Sequence, residues 1–221
     1  MHTMITRAFK ATALVAAILG SIGAAHATLL PVGSPPVAVD IADLPAGSFI
    51  ATASGTVNGG GFTGTARTAV YRETATGLLD VVYQFTDLGP SAIVSISGAN
   101  FDSFVTNVFQ NASLSNPGIF TTGTIGADMA QRSTNGDVVE FIFTSAGSTS
   151  QLVAGTTSFV LQVRTNATAF TNGFMGVLGS GGGTQASFQP AAVPEPGTYA
   201  MMLAGLGLMG FVAARRKNTD K

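Results

Sequence analysis

The chain has 221 residues and a formal net charge of −1, and only 10% of its residues are charged, against roughly 25% in an ordinary soluble protein. It holds 28 glycines and no cysteine. These figures exclude a disulfide scaffold, a thiolate metal site, a cysteine nucleophile and a basic nucleic-acid binder; the length suits one domain of roughly 150 to 200 residues with short additions.

The first ten residues carry two cations, Arg7 and Lys10, and no acid. An apolar run from Ala11 to Gly20 follows, too short for a stable membrane anchor, and it closes on Ala25-His26-Ala27. Small side chains at Ala25 and Ala27 suit the narrow pocket of a signal peptidase. The three parts predict a secretory signal peptide over residues 1–27. An amphipathic first helix is the competing reading, but Ala11 to Ala25 has no polar face to give to water. Both histidines, His2 and His26, fall in this segment, so the mature chain has no His, Cys or Trp.

From Thr28 to Pro45 the chain is rich in proline and is expected to run extended. Short alternating segments then follow, separated by turn residues. Strands are expected at Phe49–Val57, Phe62–Arg72, Leu79–Phe85, Ala92–Ser97, Val138–Thr144 and Ser158–Thr165, with weaker ones at Phe101–Phe109, Gly118–Ile125, Thr171–Leu178 and Thr184–Gln189. In Leu79–Phe85 the apolar residues fall at every second position, the period of a half-buried strand. Asn135-Gly136 is the strongest hairpin turn, and Gly179–Gly183 reads as a flexible loop before a last strand. About ten short strands rich in Thr, Val and Phe predict an all-β domain, an antiparallel sandwich over residues 28–190.

This body offers little chemistry. Between Thr28 and Val193 it has four cations, Arg67, Arg72, Arg132 and Arg164, against nine acids, a balance of −5. Such a charge keeps a domain soluble and away from anionic polymers. A Ser-His-Asp or Cys-His site cannot be built, and the nitrogen and sulfur ligands that zinc prefers are absent. Carboxylate chemistry remains, with Glu73 and Glu140 as the only glutamates; a solvated strand edge or an arginine partner accounts for each equally. Asp40 and Asp43 are too isolated for calcium. Sugar binding by ring stacking would fall to Tyr71 or Tyr83, and Tyr83 lies on an apolar strand face. Asn111 and Asn166 begin glycosylation triplets. No catalytic, metal or cofactor-binding residue is assigned, and the body is expected to be non-enzymatic.

The tail is more specific. Pro194-Glu195-Pro196 holds the chain extended. Residues 198–214 carry no charge, and their 17 positions stand at the lower limit of the roughly 17 to 25 that span a bilayer. Arg215-Arg216-Lys217 follows at once, and such a cluster stays cytoplasmic, which sets the domain outside. Within the span, Gly205-Leu206-Gly207-Leu208-Met209-Gly210 imitates a dinucleotide fingerprint, but that fingerprint needs a strand before it. Glycines that let membrane helices approach are the better reading.

A Pro-Glu-Pro motif, a short apolar helix and a basic tip, in this order over Ala191–Lys221, resemble the PEP-CTERM sorting signal of exported proteins in exopolysaccharide-producing Gram-negative bacteria. The resemblance implies processing by exosortase, a membrane-embedded cysteine peptidase thought to cut near the Pro-Glu-Pro. Pro194, Glu195 and Pro196 would then be recognition residues, and Arg215, Arg216 and Lys217 the stop-transfer tip. The body is similar to other PEP-CTERM surface proteins at Val70-Tyr71-Arg72, at Gly77–Phe85, and at Arg132-Ser133 with Gly136-Asp137-Val138, a likeness that speaks only to architecture.

The expected protein is therefore exported, anchored transiently in the inner membrane, and moved to the cell surface or matrix. Its partners would be signal peptidase, exosortase and an exopolysaccharide, with no nucleic acid and no cofactor. A structural or adhesive role in a biofilm matrix is expected, with a specific carbohydrate-binding module and a carboxylate-dependent glycan-active enzyme as alternatives. Uncut, the chain would remain a single-pass membrane protein.

Overall fold

The computed structural model describes residues 27–112, 118–143, 151–192 and 201–209. Residues 1–26, with Ala25 among them, lie outside the described residues; Ala27 is described and immediately precedes the first strand.

The described body is all-β, with two antiparallel sheets of six strands each. The first sheet contains β1 (Thr28–Leu29), β3 (Gly47–Asn58), β4 (Phe62–Glu73), β5 (Leu79–Pro90), β7 (Thr106–Asn111) and β10 (Val160–Thr165), in the order β1-β7-β10-β5-β4-β3. The second contains β2 (Val37–Ala38), β6 (Ser95–Gly98), β8 (Met129–Arg132), β9 (Val139–Ile142), β11 (Ala169–Leu178) and β12 (Gly182–Ala191), in the order β12-β11-β6-β9-β8-β2.

One core draws on both sheets. Val81, Tyr83 and Phe85 of β5 and Leu161 and Val163 of β10 meet Ile96, Val139, Phe141, Met175 and Val177 from the other sheet. This packing fits a sandwich, in which alternate residues of each strand turn inward between two layers. The period-two apolar positions of Leu79–Phe85 supply the centre of that core. Tyr83 is fully buried, as its strand face predicts.

The lead-in from Thr28 to Pro45 is largely irregular, apart from the two-residue strands β1 and β2. The Asn135-Gly136 turn joins β8 to β9: Gly136 has φ +78°, where glycine meets no Cβ penalty, and Ser133 N donates to Val138 O at 2.9 Å. Gly179–Gly181 closes the β11–β12 hairpin.

Two expectations are corrected, and one strand is added. Gly118–Ile125 forms no strand; it is joined to the sheet region by an isolated bridge from Ile125 to Ser158 and by hydrogen bonds such as Gly123 N to Ala112 O at 2.7 Å. The strand expected over Phe101–Phe109 is confined to Thr106–Asn111, because a turn brings Phe104 N onto Phe101 O. Met129–Arg132 is a strand that its sequence does not announce.

The outer face of the first sheet is half covered. Leu44, Ile119 and Phe120 pack on Ala69, Tyr71, Val82 and Val160, so β5 is buried on both sides. Gln84 fastens this cover: its Nε2 donates to Thr121 O at 2.6 Å, and its Oε1 accepts from Thr121 N at 3.0 Å.

Candidate functional site

The uncovered half of the same outer face is lined with hydroxyls. Along β3, Ala51, Ala53, Gly55 and Val57 turn inward, while Thr52, Ser54, Thr56 and Asn58 are exposed. Pairing sets Thr56 beside Thr65 and Thr65 beside Thr86, and a bridge from Thr86 to Thr157 continues the row. Strands of a sheet lie about 4.8 Å apart, so the row offers one hydroxyl at about that interval. Thr86 and Thr157 hydroxyls are 3.0 Å apart, and Thr157 N donates to Thr124 Oγ1 at 3.3 Å.

The next row is Ser54, Arg67 and Gln84. Arg67 lies across the hydroxyl face and donates from Nη1 to Thr86 Oγ1 at 2.9 Å. A shallow groove of about 230 Å³ lies between Thr52, Ser54 and Arg67 on one side and Gly118 and Ile119 on the other. Among the described residues that line it, Arg67 alone is charged. This surface can make many weak hydrogen bonds to a hydrated neutral polymer, and a single ionic contact.

The covered half holds the acidic groups. Tyr71, Asp80, Arg164 and Asn107 stand in one row across β4, β5, β10 and β7. Arg164 Nε lies 2.6 Å from Glu73 Oε1 and 3.6 Å from Asp80 Oδ1. The shorter contact is off the N–H direction and is an ion pair rather than a hydrogen bond. The guanidinium also stacks over Phe109, 5.0 Å from the ring centre. Thr76 Oγ1 donates to Glu73 Oε2 at 2.5 Å. Burial pushes the Asp80 carboxyl up to about 7, with Arg164 pulling it down and Glu73 adding to the rise. Glu73 and Asp80 thus come within reach of each other, whereas Glu140 sits in the other sheet, accepting from Gln131 Nε2 at 2.6 Å. The sequence treats Glu73 and Glu140 alike; their placement in different sheets separates them.

Tyr71 is 7% exposed, and its hydroxyl donates to Pro45 O at 2.6 Å, so its ring is not open for stacking. Burial, then Asp80 and Glu73, push its pKa up. Tyr83 is enclosed in the core, and burial pushes its hydroxyl up as well. Asp40 accepts from Thr28 Oγ1 at 2.9 Å and Asp43 from Asn111 Nδ2 at 2.5 Å. Among the described residues no three acids gather as a metal site would require.

Arg132 has a structural place. It is buried, and donates to Gly136 O and Phe104 O at 2.9 Å, to Leu30 O at 3.4 Å and to Phe101 O. It ties the lead-in, the loop before β7 and the β8–β9 turn together. Arg132-Ser133 and Gly136–Val138 therefore form one interlocked turn, in which Val138 N also donates to Ser133 Oγ at 2.9 Å.

In the tail, residues 201–209 form a helix with every side chain exposed. Gly205 and Gly207 lie inside this helix rather than at a strand-to-helix turn, which removes the dinucleotide reading. Among the described residues no helix is long and apolar enough to cross a membrane. Pro194, Glu195, Pro196, Arg215, Arg216 and Lys217 lie outside the described residues.

No curated protein and no solved structure matches the chain. The family model of the PEP-CTERM protein-sorting motif matches residues 192–217. That segment includes the Pro-Glu-Pro, the apolar stretch and the three basic residues. The chain thus carries the PEP-CTERM protein-sorting motif, the address of an exported protein targeted to exosortase.

Proposed function

We propose that the β-domain is a non-enzymatic structural or adhesive protein of an exopolysaccharide or biofilm matrix, released to the cell surface after exosortase acts near Pro194–Pro196. The observation that carries the reading is the hydroxyl row Thr56–Thr65–Thr86–Thr157 beside Thr52, Ser54 and Asn58. A flat array of hydroxyls binds a hydrated polymer through many weak contacts, each replacing a bond to water at small net gain. The sorting motif supplies the address. Against catalysis stands the position of Glu73 and Asp80: both are buried and share one guanidinium.

The test is cosedimentation of the secreted protein with the exopolysaccharide of its own producing strain. The wild type is expected to cosediment, and Thr56→Val combined with Thr65→Val to lower the bound fraction several-fold while the fold is kept. A wild type that stays in the supernatant sinks the adhesive role.

The groove at Arg67 favours a second reading, a carbohydrate-binding module with one discrete sugar site. That reading expects saturable binding of a short oligosaccharide, lost in Arg67→Ala. The hydroxyl-face reading expects weak binding that grows with chain length.

A further inference from the structure

Each sheet has one short edge strand and one long one. On one side lie β1 and β2, two residues each, too short to template another strand. On the other lie β3, with 12 residues, and β12, with 10. Strand β12 contains Pro190, which cannot donate to a ladder. Strand β3 contains no proline and no charged side chain, the usual devices that blunt an edge.

Its pairing phase can be read from the hairpin. Gly59 N donates to Phe62 O at 3.0 Å, and the register from Asn58↔Thr63 to Ala51↔Val70 is unbroken. Antiparallel pairs alternate between bonded and non-bonded. Counting back from Gly59, residues Val57, Gly55, Ala53 and Ala51 exchange bonds with β4. Thr52, Ser54 and Thr56 therefore turn their N–H and C=O groups away from β4, along the open edge. All three residues are exposed.

We propose that β3 is a self-association edge, on which two copies of the chain pair β3 to β3, antiparallel, about Ser54. The residues from Thr52 to Thr56 read hydroxyl, small, hydroxyl, small, hydroxyl. A two-fold operation maps that order onto itself, so the edge is its own complement. Ser54 then faces the partner's Ser54, and Thr52 faces the partner's Thr56, both in bonded pairs. Ala53 faces the partner's Gly55 between them. Cross-strand Thr and Ser pairs are favourable, and no like charges meet in this register. The bulge at Ile50 limits the ladder at one end. Pairing would join the two hydroxyl faces into one continuous surface. The inference stands apart from the matrix role: a dimer indifferent to polysaccharide would keep the first and lose the second.

The full chain has no cysteine, so one introduced thiol reports one position. Purified in detergent, the wild type is expected to sediment as a dimer. Ser54→Cys is expected to give a covalent dimer on mild oxidation, because residues opposite in a bonded pair stand about 5.5 Å apart at Cα, within disulfide reach. Thr56→Cys should not, since two copies of residue 56 would be offset by about 13 Å along the strands. Ser54→Pro removes an outward N–H and should weaken association roughly tenfold or more with an unchanged circular dichroism spectrum. A monomeric wild type overturns the proposal. So does cross-linking of Thr56→Cys as readily as Ser54→Cys. A dimer that survives Ser54→Pro, with no cross-link formed by Ser54→Cys, would be held by the tail, and overturns it equally.

Discussion

Arg164 stands opposite Asp80 in the pairing of β10 with β5, yet its Nε lies 3.6 Å from Asp80 and 2.6 Å from Glu73. One guanidinium serves two buried carboxylates and favours the one at the strand end. Asp80 is fully buried and has no hydrogen-bond partner among the described residues, so its charged form is poorly compensated.

A pH dependence follows from this arrangement. Asp80 rises from 3.8 to about 7, through burial first, with Arg164 opposing and Glu73 assisting. Between those values the folded protein holds a proton that the unfolded chain has released. Stability from this group therefore falls as pH rises through that window, and levels off above it. Chemical denaturation at pH 5 and pH 8 should show the wild type weaker at pH 8. Asp80→Asn should remove most of that difference and gain about 2 to 4 kcal/mol at pH 8. An equal slope in both proteins would mean that Asp80 ionises freely.

Gln162 is fully buried two residues before Arg164, on the same strand face, with neither amide atom bonded among the described residues. A buried amide without partners costs more than an apolar side chain of similar size. Gln162→Met is expected to raise stability by about 1 to 2 kcal/mol in urea denaturation. A loss of stability instead would show that the amide is satisfied in solution by bound water.

Gly123 allows the covering segment to lie against the chain before β10. A Cβ there would stand 2.7 Å from Phe159 Cα, a backbone atom that cannot swing aside. Gly123→Ala should destabilise by about 1 to 3 kcal/mol. Amide exchange at Val82 and Gln84 should accelerate as the cover lifts. Unchanged protection on β5 would place the cover's anchorage elsewhere.

Arg132 joins four carbonyls from three separate segments. Burial lowers its pKa, and Asp102 partly restores it. Arg132→Met should cost about 3 kcal/mol, because several buried carbonyls lose a charged donor at once. A change below about 1 kcal/mol in thermal denaturation would show that these carbonyls are hydrated instead.

Strands with strict alternation were legible in the sequence. Leu79–Phe85 and the β3–β4 hairpin are read directly from period two and from the glycines at residues 59 to 61. Met129–Arg132 is not, since its two apolar residues are adjacent and none of its four residues is β-branched. The Thr- and Ile-rich stretch from Gly118 to Ile125 reads as a strand but serves as a lid, and Gly123 is the residue that makes the lid fit. The burial of Tyr71 is not legible for a related reason: its cover comes from Leu44 and Phe120, remote in the chain. The hydroxyl row and the Glu73–Arg164–Asp80 cluster both depend on register between strands, which composition and periodicity do not specify.

The intact mass of the protein from cells and from medium, in a producing strain and in its exosortase deletion, tests the sorting assignment most directly. A species beginning at Thr28 and ending near Pro194–Pro196 is expected in the parent, with the tail through Lys221 retained in the deletion. An unchanged mass from Thr28 to Lys221 in both strains would contradict exosortase processing and leave the β-domain tethered by its own tail.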